Sequence, residues 1–113
     1  MPRSMLREIL LGFVRVHILH HAAEEPFFGS WMMGELASHG YDVGPGTLYP
    51  ILHRMEEDGY LTSEERTEGG RNRRYYRATA LGREALAEAR AKAKELTREV
   101  APGDGGPASP SDS

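Results

Sequence analysis

The sequence GTLYPILHRMEEDG, residues 46–59, decides the fold of this chain. Its apolar positions recur at intervals of three and four residues, which is the stripe of an amphipathic α-helix. These positions are Leu48, Ile51, Leu52 and Met55. Gly59 stands where a glycine commonly ends a helix. A proline fits only in the first turn, so Pro50 limits where the helix can begin. We therefore predict a helix with Thr47 as its N-cap and Gly46 outside it.

The face of this helix opposite the apolar stripe is polar and cationic. It consists of Thr47, Tyr49, Pro50, His53 and Arg54. For this helix alone, the solvated outer face of an ordinary amphipathic helix explains the pattern equally well. The sequence that follows Gly59 favours a binding role instead.

Length and composition narrow the class of protein. At 113 residues the chain is expected to form one domain with a modest core, and chains of this size often gain stability by dimerising. The net charge is −3, so any nucleic-acid binding must depend on local charge. There is no cysteine, which excludes disulfides and thiolate metal sites and fits a cytoplasmic location.

A long apolar helix is predicted over about residues 3–23. Its apolar side chains surround it almost completely, so it must be covered on more than one side, by its own domain and by a partner chain. Arg7, Glu8, Arg15 and His17 make it too polar to span a bilayer, and no signal-peptide cleavage pattern follows. We expect no membrane association.

Three histidines near the end of this helix, His17, His20 and His21, have a spacing that allows them to face one metal ion. Metal sites usually add carboxylates or cysteines, and nothing nearby completes a set of ligands. We therefore expect no physiological metal, and no cofactor.

A second helix is predicted between Ser30, as its N-cap, and Gly40, which closes it. The segment 41–46 then forms a short turn into the central helix. Two short helices joined in this way are a helix-turn-helix, whose second helix usually reads DNA. Trp31 is either partly buried packing or a platform for a ligand, and we favour packing.

After Gly59 the pattern changes to that of a β-hairpin. Residues 60–66 and 73–78 are predicted strands, and 67–72 form a glycine-rich loop. Between residues 66 and 77 there are five arginines and one acidic residue. A solvated hairpin is the plain alternative, but positive charge at the tip of a hairpin beside a helix-turn-helix suits contact with phosphates. The predicted DNA contacts are Arg71, Arg73, Arg74 and Arg77.

Thr79 is predicted to cap a last helix over about residues 80–100. This helix carries a short heptad seam, which we expect to pair with the first helix of a second copy. The predicted dimer interface is Leu6, Leu10, Phe13, Leu86, Ala89, Ala93, Leu96 and Val100. We predict a DNA-binding domain over 1–78, a dimerisation helix over 79–100, and a disordered tail over 101–113.

Three helices, a basic hairpin and a final helix predict an α+β, mostly helical fold: a winged helix-turn-helix with N-terminal and C-terminal dimerisation helices. The segments 45–52, 57–59, 69–71 and 74–79 resemble the PadR family of bacterial transcriptional regulators, in its smaller subfamily, and the likeness covers about residues 5–100. Many members have an aromatic directly after the glycine that opens the second helix, where this chain has Ser30 and then Trp31.

The resemblance implies a homodimeric repressor that binds double-stranded DNA, with the central helix in the major groove and the hairpin on the backbone. Some relatives release DNA when a small molecule binds at the dimer centre, so an effector there is compatible with it. The alternative is a winged helix used only for protein interaction. An enzyme is not expected, since no nucleophile–base pair, paired acids or phosphate loop is visible.

Overall fold

The chain folds as a helical unit, a β-hairpin and a long final helix. We describe it from a computed structural model that places residues 4–100. The predicted tail, 101–113, lies outside the described residues. The elements are α1 (Met5–Glu24), β1 (Phe27–Phe28), α2 (Gly29–Ser38), α3 (Pro45–Glu57), β2 (Leu61–Glu68), β3 (Arg71–Ala78) and α4 (Ala80–Val100). The predicted fold, a mostly helical winged helix-turn-helix, is confirmed.

The hydrophobic core lies between α1, α2, α3 and the sheet. The stripe predicted for α3 is buried in it, since Leu48 and Leu52 have no exposed surface. Removing a leucine side chain from such a core typically costs about 2–5 kcal/mol. The other buried residues are Leu11, Val14, Ile18, Leu19, Ala22, Phe27, Met32, Leu36, Ile51, Met55, Leu61, Tyr76, Ala78 and Leu86. This packing fixes α3 on the core and leaves its opposite face free.

Helices α2 and α3 end in the same way, at the two glycines that the sequence predicts. After α2, the Gly40 N–H donates to the Ala37 carbonyl and the Tyr41 N–H donates to that of Leu36. After α3, Gly59 and Tyr60 make the equivalent pair of bonds. These paired bonds are the Schellman motif, which satisfies carbonyls at a helix end. They turn the chain sharply out of each helix and so define both sides of the helix-turn-helix.

The predicted start of α3 is wrong by three residues. The helix begins at Pro45 with Gly44 as its N-cap, and Thr47 lies inside the first turn. Proline at the first helical position has a φ suited to the helix and needs no hydrogen-bond partner, and this favours the earlier start. Pro50 therefore lies inside the helix and donates no bond to the Gly46 carbonyl. Gly46 is exposed, so water can satisfy that carbonyl.

The predicted start of α2 also moves, because a short strand that we did not predict precedes it. β1 pairs antiparallel with β3, with Phe27 opposite Tyr76 and Phe28 opposite Tyr75. Phe28, in extended backbone, is the N-cap, and Ser30 lies exposed within the first turn. A segment of two residues is too short to show the side-chain alternation of a strand, so only its pairing with β3 defines β1.

The hairpin is longer and its loop tighter than predicted. β2 and β3 pair over their full lengths, from Leu61 opposite Ala78 to Glu68 opposite Arg71. Only Gly69 and Gly70 form the turn, with φ angles of 56° and 78°. Positive φ at both positions is what a two-residue type I′ turn requires, and glycine adopts it without strain. β1, β2 and β3 together form a three-stranded sheet in the order β1-β3-β2.

Helix α4 begins at the predicted cap. The Gly82 N–H donates to the Thr79 Oγ1 atom over 3.0 Å, and that hydroxyl donates to the Gly59 carbonyl over 2.6 Å. Thr79 thus joins the start of α4 to the turn after α3. Leu86 is buried, but every residue from 90 to 100 is exposed. Among the described helices, none has the length and apolar character needed to cross a membrane.

Candidate nucleic-acid interface

The exposed face of α3 carries most of the side chains predicted for it. Pro50, His53 and Arg54 are exposed, while Thr47 and Tyr49 are half-buried. The Arg54 side chain is 75% exposed and its Nε atom lies 3.1 Å from Asp58 Oδ2. Because this ion pair is solvated and within one helix, it is worth only about 0.3–0.5 kcal/mol. The Arg54 guanidinium can therefore exchange it for another anion at small cost.

Tyr49 has a packing role that the sequence did not reveal. A Cβ atom added to Gly29 would lie 2.5 Å from the Tyr49 ring and hydroxyl, so a larger residue there would require the Tyr49 side chain to move. Tyr49 therefore joins α3 to the start of α2, with one edge of its side chain still accessible.

The arginines of the wing, which is the hairpin formed by β2 and β3, are divided between its two faces. Side chains alternate along a strand, so Arg71, Arg73 and Arg77 lie on one face. Arg74 lies on the other, together with the buried Tyr76. Arg74 nevertheless borders one groove together with Arg71 and Arg73, whereas Arg77 does not.

Aromatic rings hold part of the wing in place. The Arg73 guanidinium lies 4.2 Å from the centre of the Phe28 ring, and that of Arg66 lies 4.4 Å from the Tyr75 ring. The Tyr75 hydroxyl donates to Glu68 over 2.6 Å, and this hydrogen bond raises the pKa of Tyr75. Cation–π contacts at exposed sites contribute about 0.5–1 kcal/mol each, so these side chains are partly ordered.

Acidic residues of β2 reduce the charge of the wing. Residues 61–78 contain five arginines and three glutamates, a net charge of +2. Glu65 lies 3.7 Å from Arg74, and Glu64 lies 2.9 Å from Arg66. Within residues 4–100, Arg71 and Arg77 form no ion pair. The excess of positive charge is therefore concentrated on fewer residues than the sequence suggested.

A groove of about 400 Å³ lies between the wing and the helix-turn-helix. Its lining is Phe28, Gly29, Ser30, Tyr49, Arg71, Asn72, Arg73 and Arg74. The first turn of α2 borders it, and no side chain caps the N–H groups of that turn. Uncapped N–H groups and the helix dipole favour an anion beside the arginines.

A second groove, of about 320 Å³, lies on the other side of α3 and contains two arginines that we did not predict. Arg7 and Arg15 of α1 line it together with Thr47, Pro50 and Arg54. The Arg7 Nη2 atom lies 3.4 Å from Thr47 Oγ1. In the sequence these arginines only interrupt an apolar helix, and only the packing of α1 beside α3 gives them a role. We call the exposed side of α3 and the two grooves beside it the cationic face.

Six of the eight predicted dimer residues are exposed, while Ala89 is half-buried and Leu86 is buried. The exposed fractions are 63% for Leu6, 45% for Phe13, 49% for Leu96 and 65% for Val100. Leu86 is buried in the core of its own chain, so it is not available to a partner in the way we predicted. We call the exposed apolar side chains of α1 and α4 the apolar face.

A groove of about 710 Å³ runs along the apolar face between α1 and α4. Most of its lining is apolar and includes Ile9, Phe13, Val16, Ala93 and Leu96. A groove of this size and lining is suited to a second chain or to an apolar ligand.

The histidines of α1 have neighbours that the sequence did not indicate. His39, the C-cap of α2, lies with its ring centre 4.8 Å from that of His17. Glu35 Oε2 lies 3.3 Å from His21 Nε2. Burial lowers the pKa of His17, and the adjacent His39, His21 and His20 lower it further. Our statement that nothing nearby completes a ligand set is wrong, because Glu24 lies one turn after His20 in the sequence and the fold adds Glu35 and His39 to the cluster.

Trp31 is packed only in part. Its indole lies 5.4 Å from the His21 ring and 6.2 Å from the Phe27 ring, and the residue is 43% exposed. The favoured packing role therefore describes only part of the ring, which also borders a groove of about 380 Å³ with Phe27, Phe28 and Tyr75.

The fold and the cationic face define a winged helix-turn-helix protein. The model of the Transcriptional regulator PadR-like family matches residues 18–88. The protein named transcriptional regulator Rv3488, from Mycobacterium tuberculosis (strain ATCC 25618 / H37Rv), is 57% identical over 95 residues, which cover 84% of this chain and 89% of that protein.

Solved structures agree with this comparison. The crystal structure of a PadR family transcriptional regulator from Eggerthella lenta DSM 2243 is 35% identical, with a TM-score of 0.75 over 86% of each chain. That of a PadR-like transcriptional regulator from Bacillus cereus strain ATCC 14579 is 27% identical, with a TM-score of 0.76 over 82% of this chain and 92% of that one. This chain belongs to the PadR-like family of transcriptional regulators.

Proposed function

We propose that this chain is a sequence-specific DNA-binding protein that represses transcription as a homodimer on a pseudo-palindromic operator. The observation that carries the proposal is the cationic face, where arginines of α1, α3 and β3 border grooves on both sides of α3. In a chain of net charge −3, arginines gathered at one helix fit the phosphates that flank a DNA groove.

The two parts of the cationic face have different tasks. His53 and Arg54 project from α3, which can enter the major groove, where each base pair presents a distinct pattern of donors and acceptors. Arg71, Arg73 and the first turn of α2 lie beside it and contact phosphates, which fix the position of the protein without reading sequence. Arg7 contacts the backbone on the other side of α3.

The apolar face supports the homodimer. Leu6, Phe13, Leu96 and Val100 are exposed on two helices, and a second copy offers the same surface in return. A two-fold interface of this kind is self-complementary, and it presents two α3 helices to the same side of DNA. Their separation should be about 34 Å, one turn of DNA, or a multiple of it.

Repression requires only that the bound dimer blocks the operator, and release requires a ligand that favours another arrangement of the dimer. The groove between α1 and α4 supports an effector site, because it is apolar and adjoins the proposed interface. α4 has no aromatic residue, so Phe13 and Tyr41 are the aromatic side chains that border this groove.

The test begins with genomic DNA fragments captured by the purified protein and then sequenced. We expect the enriched fragments to share an inverted repeat, and footprinting on one of them to show two protected half-sites about 10 bp apart or a multiple of that. Protection of a single asymmetric half-site by one subunit would contradict the proposed dimer on DNA.

A protein-interaction module without DNA binding is the second candidate. The three glutamates of the wing favour it, because they reduce the wing's attraction for phosphate. Salt distinguishes the two, since the logarithm of DNA affinity falls by about 0.9 per phosphate contact for each unit of log salt. If the protein does not bind DNA even at low salt, the interaction module is favoured.

A further inference from the structure

Four side chains from two helices meet at the surface beside Tyr41. His17 and His21 lie one turn apart on α1, while Glu35 and His39 lie one turn apart at the end of α2. They come from sequence positions up to 22 residues apart, and only the packing of α2 against α1 brings them together. We propose that this cluster is a binding site for a divalent transition-metal ion of the zinc class, with three imidazoles and one carboxylate as ligands.

The distances between the ligand atoms are close to those of such a site. Glu35 Oε2 lies 3.3 Å from His21 Nε2 and 3.2 Å from His39 Nε2. In a tetrahedral zinc site with bonds of about 2.0–2.1 Å, neighbouring ligand atoms lie roughly 3.3 Å apart. One ring nitrogen from each of His17, His21 and His39 lies within 4.8 Å of the others. Closing the site requires the rings to approach by roughly 1–1.5 Å, and the His39 side chain is 47% exposed and free to move.

The donor set selects the class of metal. Imidazole suits zinc, nickel, cobalt and copper(II), whereas calcium and magnesium prefer oxygen ligands. The chain has no cysteine to favour copper(I) or an iron–sulfur cluster.

A second group of three, formed by His20, His21 and Glu24, is a weaker candidate. The Arg90 Nη2 atom lies 2.8 Å from His20 Nδ1, so that nitrogen already accepts a hydrogen bond from a cation. His20 Nε2 lies 3.5 Å from Glu24, which takes the other ring nitrogen. His20 therefore serves as the matched control: it is a neighbouring histidine of the same helix that should not bind the metal.

A bound metal would tie α1 to the C-cap of α2. α1 contributes to the apolar face, and α2 opens the helix-turn-helix, so the ion would join the two parts of the molecule. The proposed metal site does not depend on the proposed DNA binding, because it is tested by metal binding to the protein in the absence of DNA.

The experiment titrates the full chain, freed of metal with a chelator, with Zn²⁺ in the absence of DNA. Calorimetry should give one ion per chain with a dissociation constant in the micromolar range or below. A hundredfold excess over that constant should raise Tm by an amount on the order of 10 °C. Trp31 is the only tryptophan and its ring centre lies 5.4 Å from that of His21, so Co²⁺ bound at the site should quench its fluorescence.

Two variants and one control decide the outcome. His39→Ala removes an exposed ligand that the core does not need, and it should weaken Zn²⁺ binding by roughly 100-fold or more; Glu35→Gln should weaken it by at least about tenfold. His20→Ala should leave the dissociation constant for Zn²⁺ within about threefold of that of the starting protein. A residue that supports a metal ligand typically costs about tenfold in affinity when it is removed, so the limit is set below that loss. Circular dichroism confirms that each variant is folded.

The proposal is overturned if Zn²⁺ binds only at millimolar concentration, which would leave a hydrogen-bonded histidine cluster. It is overturned equally if His39→Ala binds as tightly as the unaltered chain, or if His20→Ala loses binding to the same extent. Quenching of Trp31 by Co²⁺ that persists in His39→Ala would place the ion elsewhere.

Discussion

The cationic face and the apolar face are both exposed, but they need different partners. Arg54 and Arg71 remain solvated at little cost, and their attraction for another molecule weakens with salt. Phe13 and Leu96 expose apolar surface to water. The free-energy cost of this exposure is removed only by burial against another apolar surface. On our proposal, one small domain separates the surface that binds a polyanion from the surface that binds a second protein chain.

The largest effect is expected from a substitution on the apolar face that prevents a second chain from packing there. Leu96→Glu places a carboxylate where we propose that a second chain packs, and an unpaired buried charge costs about 3–5 kcal/mol. We expect the dissociation constant of the dimer to rise by at least about 100-fold. Analytical ultracentrifugation at micromolar concentration should show a dimer for the unaltered chain and a monomer for the variant.

Ala87→Glu is the matched control for this variant. Position 87 is nine residues from Leu96, or about two and a half helical turns, so it lies on the opposite side of α4. It adds the same charge to the same helix and does not line the groove. A dimer weakened equally by both substitutions would show that total charge, and not the apolar face, controls association.

The next effect concerns what the cationic face reads. Arg54→Ala should lose about 1–3 kcal/mol of discrimination at each half-site, if the guanidinium bonds a base edge. We expect binding to operator DNA to weaken and binding to scrambled DNA to change little, as measured by fluorescence anisotropy. Arg83→Ala removes the same charge from an exposed part of α4 and should change neither. Equal losses on both DNAs would assign Arg54 to a phosphate.

A smaller and less selective effect is expected for the wing. Arg71→Ala removes a cation that has no ion pair within the described chain, and it should weaken operator and scrambled DNA alike, by roughly tenfold. The slope of log affinity against log salt should flatten by about 0.9 for each lost phosphate contact, and a dimer loses two. A loss confined to the operator would mean that the wing reads bases.

The smallest effect is expected from ending the chain after Val100. Residues 101–113 contain three prolines, three serines and three glycines but no aromatic residue, leucine, isoleucine, valine or methionine, so they offer no apolar stripe to either face. Melting temperature and DNA affinity should stay within experimental error of those of the full chain. A Tm lower by several degrees would contradict this.

Local patterns predicted the parts of the fold that depend on near neighbours. The stripe of α3 and the closing glycines Gly40 and Gly59 follow from helical period and backbone geometry, and both are confirmed. The predicted start of α3 was wrong because Pro45 and Pro50 are both compatible with the first turn of a helix. The sequence does not show which of them the core selects.

The parts that the sequence could not predict depend on contacts between distant residues. β1 exists only through pairing with β3, and Arg7 joins the cationic face only because α1 packs beside α3. His39 meets His17 across the α1–α2 packing. No spacing within a helix indicates such a meeting, since the two rings lie on different elements.

The exposed end of α4 has a consequence for folding. Every residue from 91 to 100 is exposed, and an isolated helix shorter than about 12–15 residues is marginal in water. Their amide hydrogens should exchange quickly in a dilute monomer and slowly once two chains meet. Completion of this helix and assembly then become one bimolecular step, so the refolding rate of the last turns should rise with protein concentration while that of the core does not.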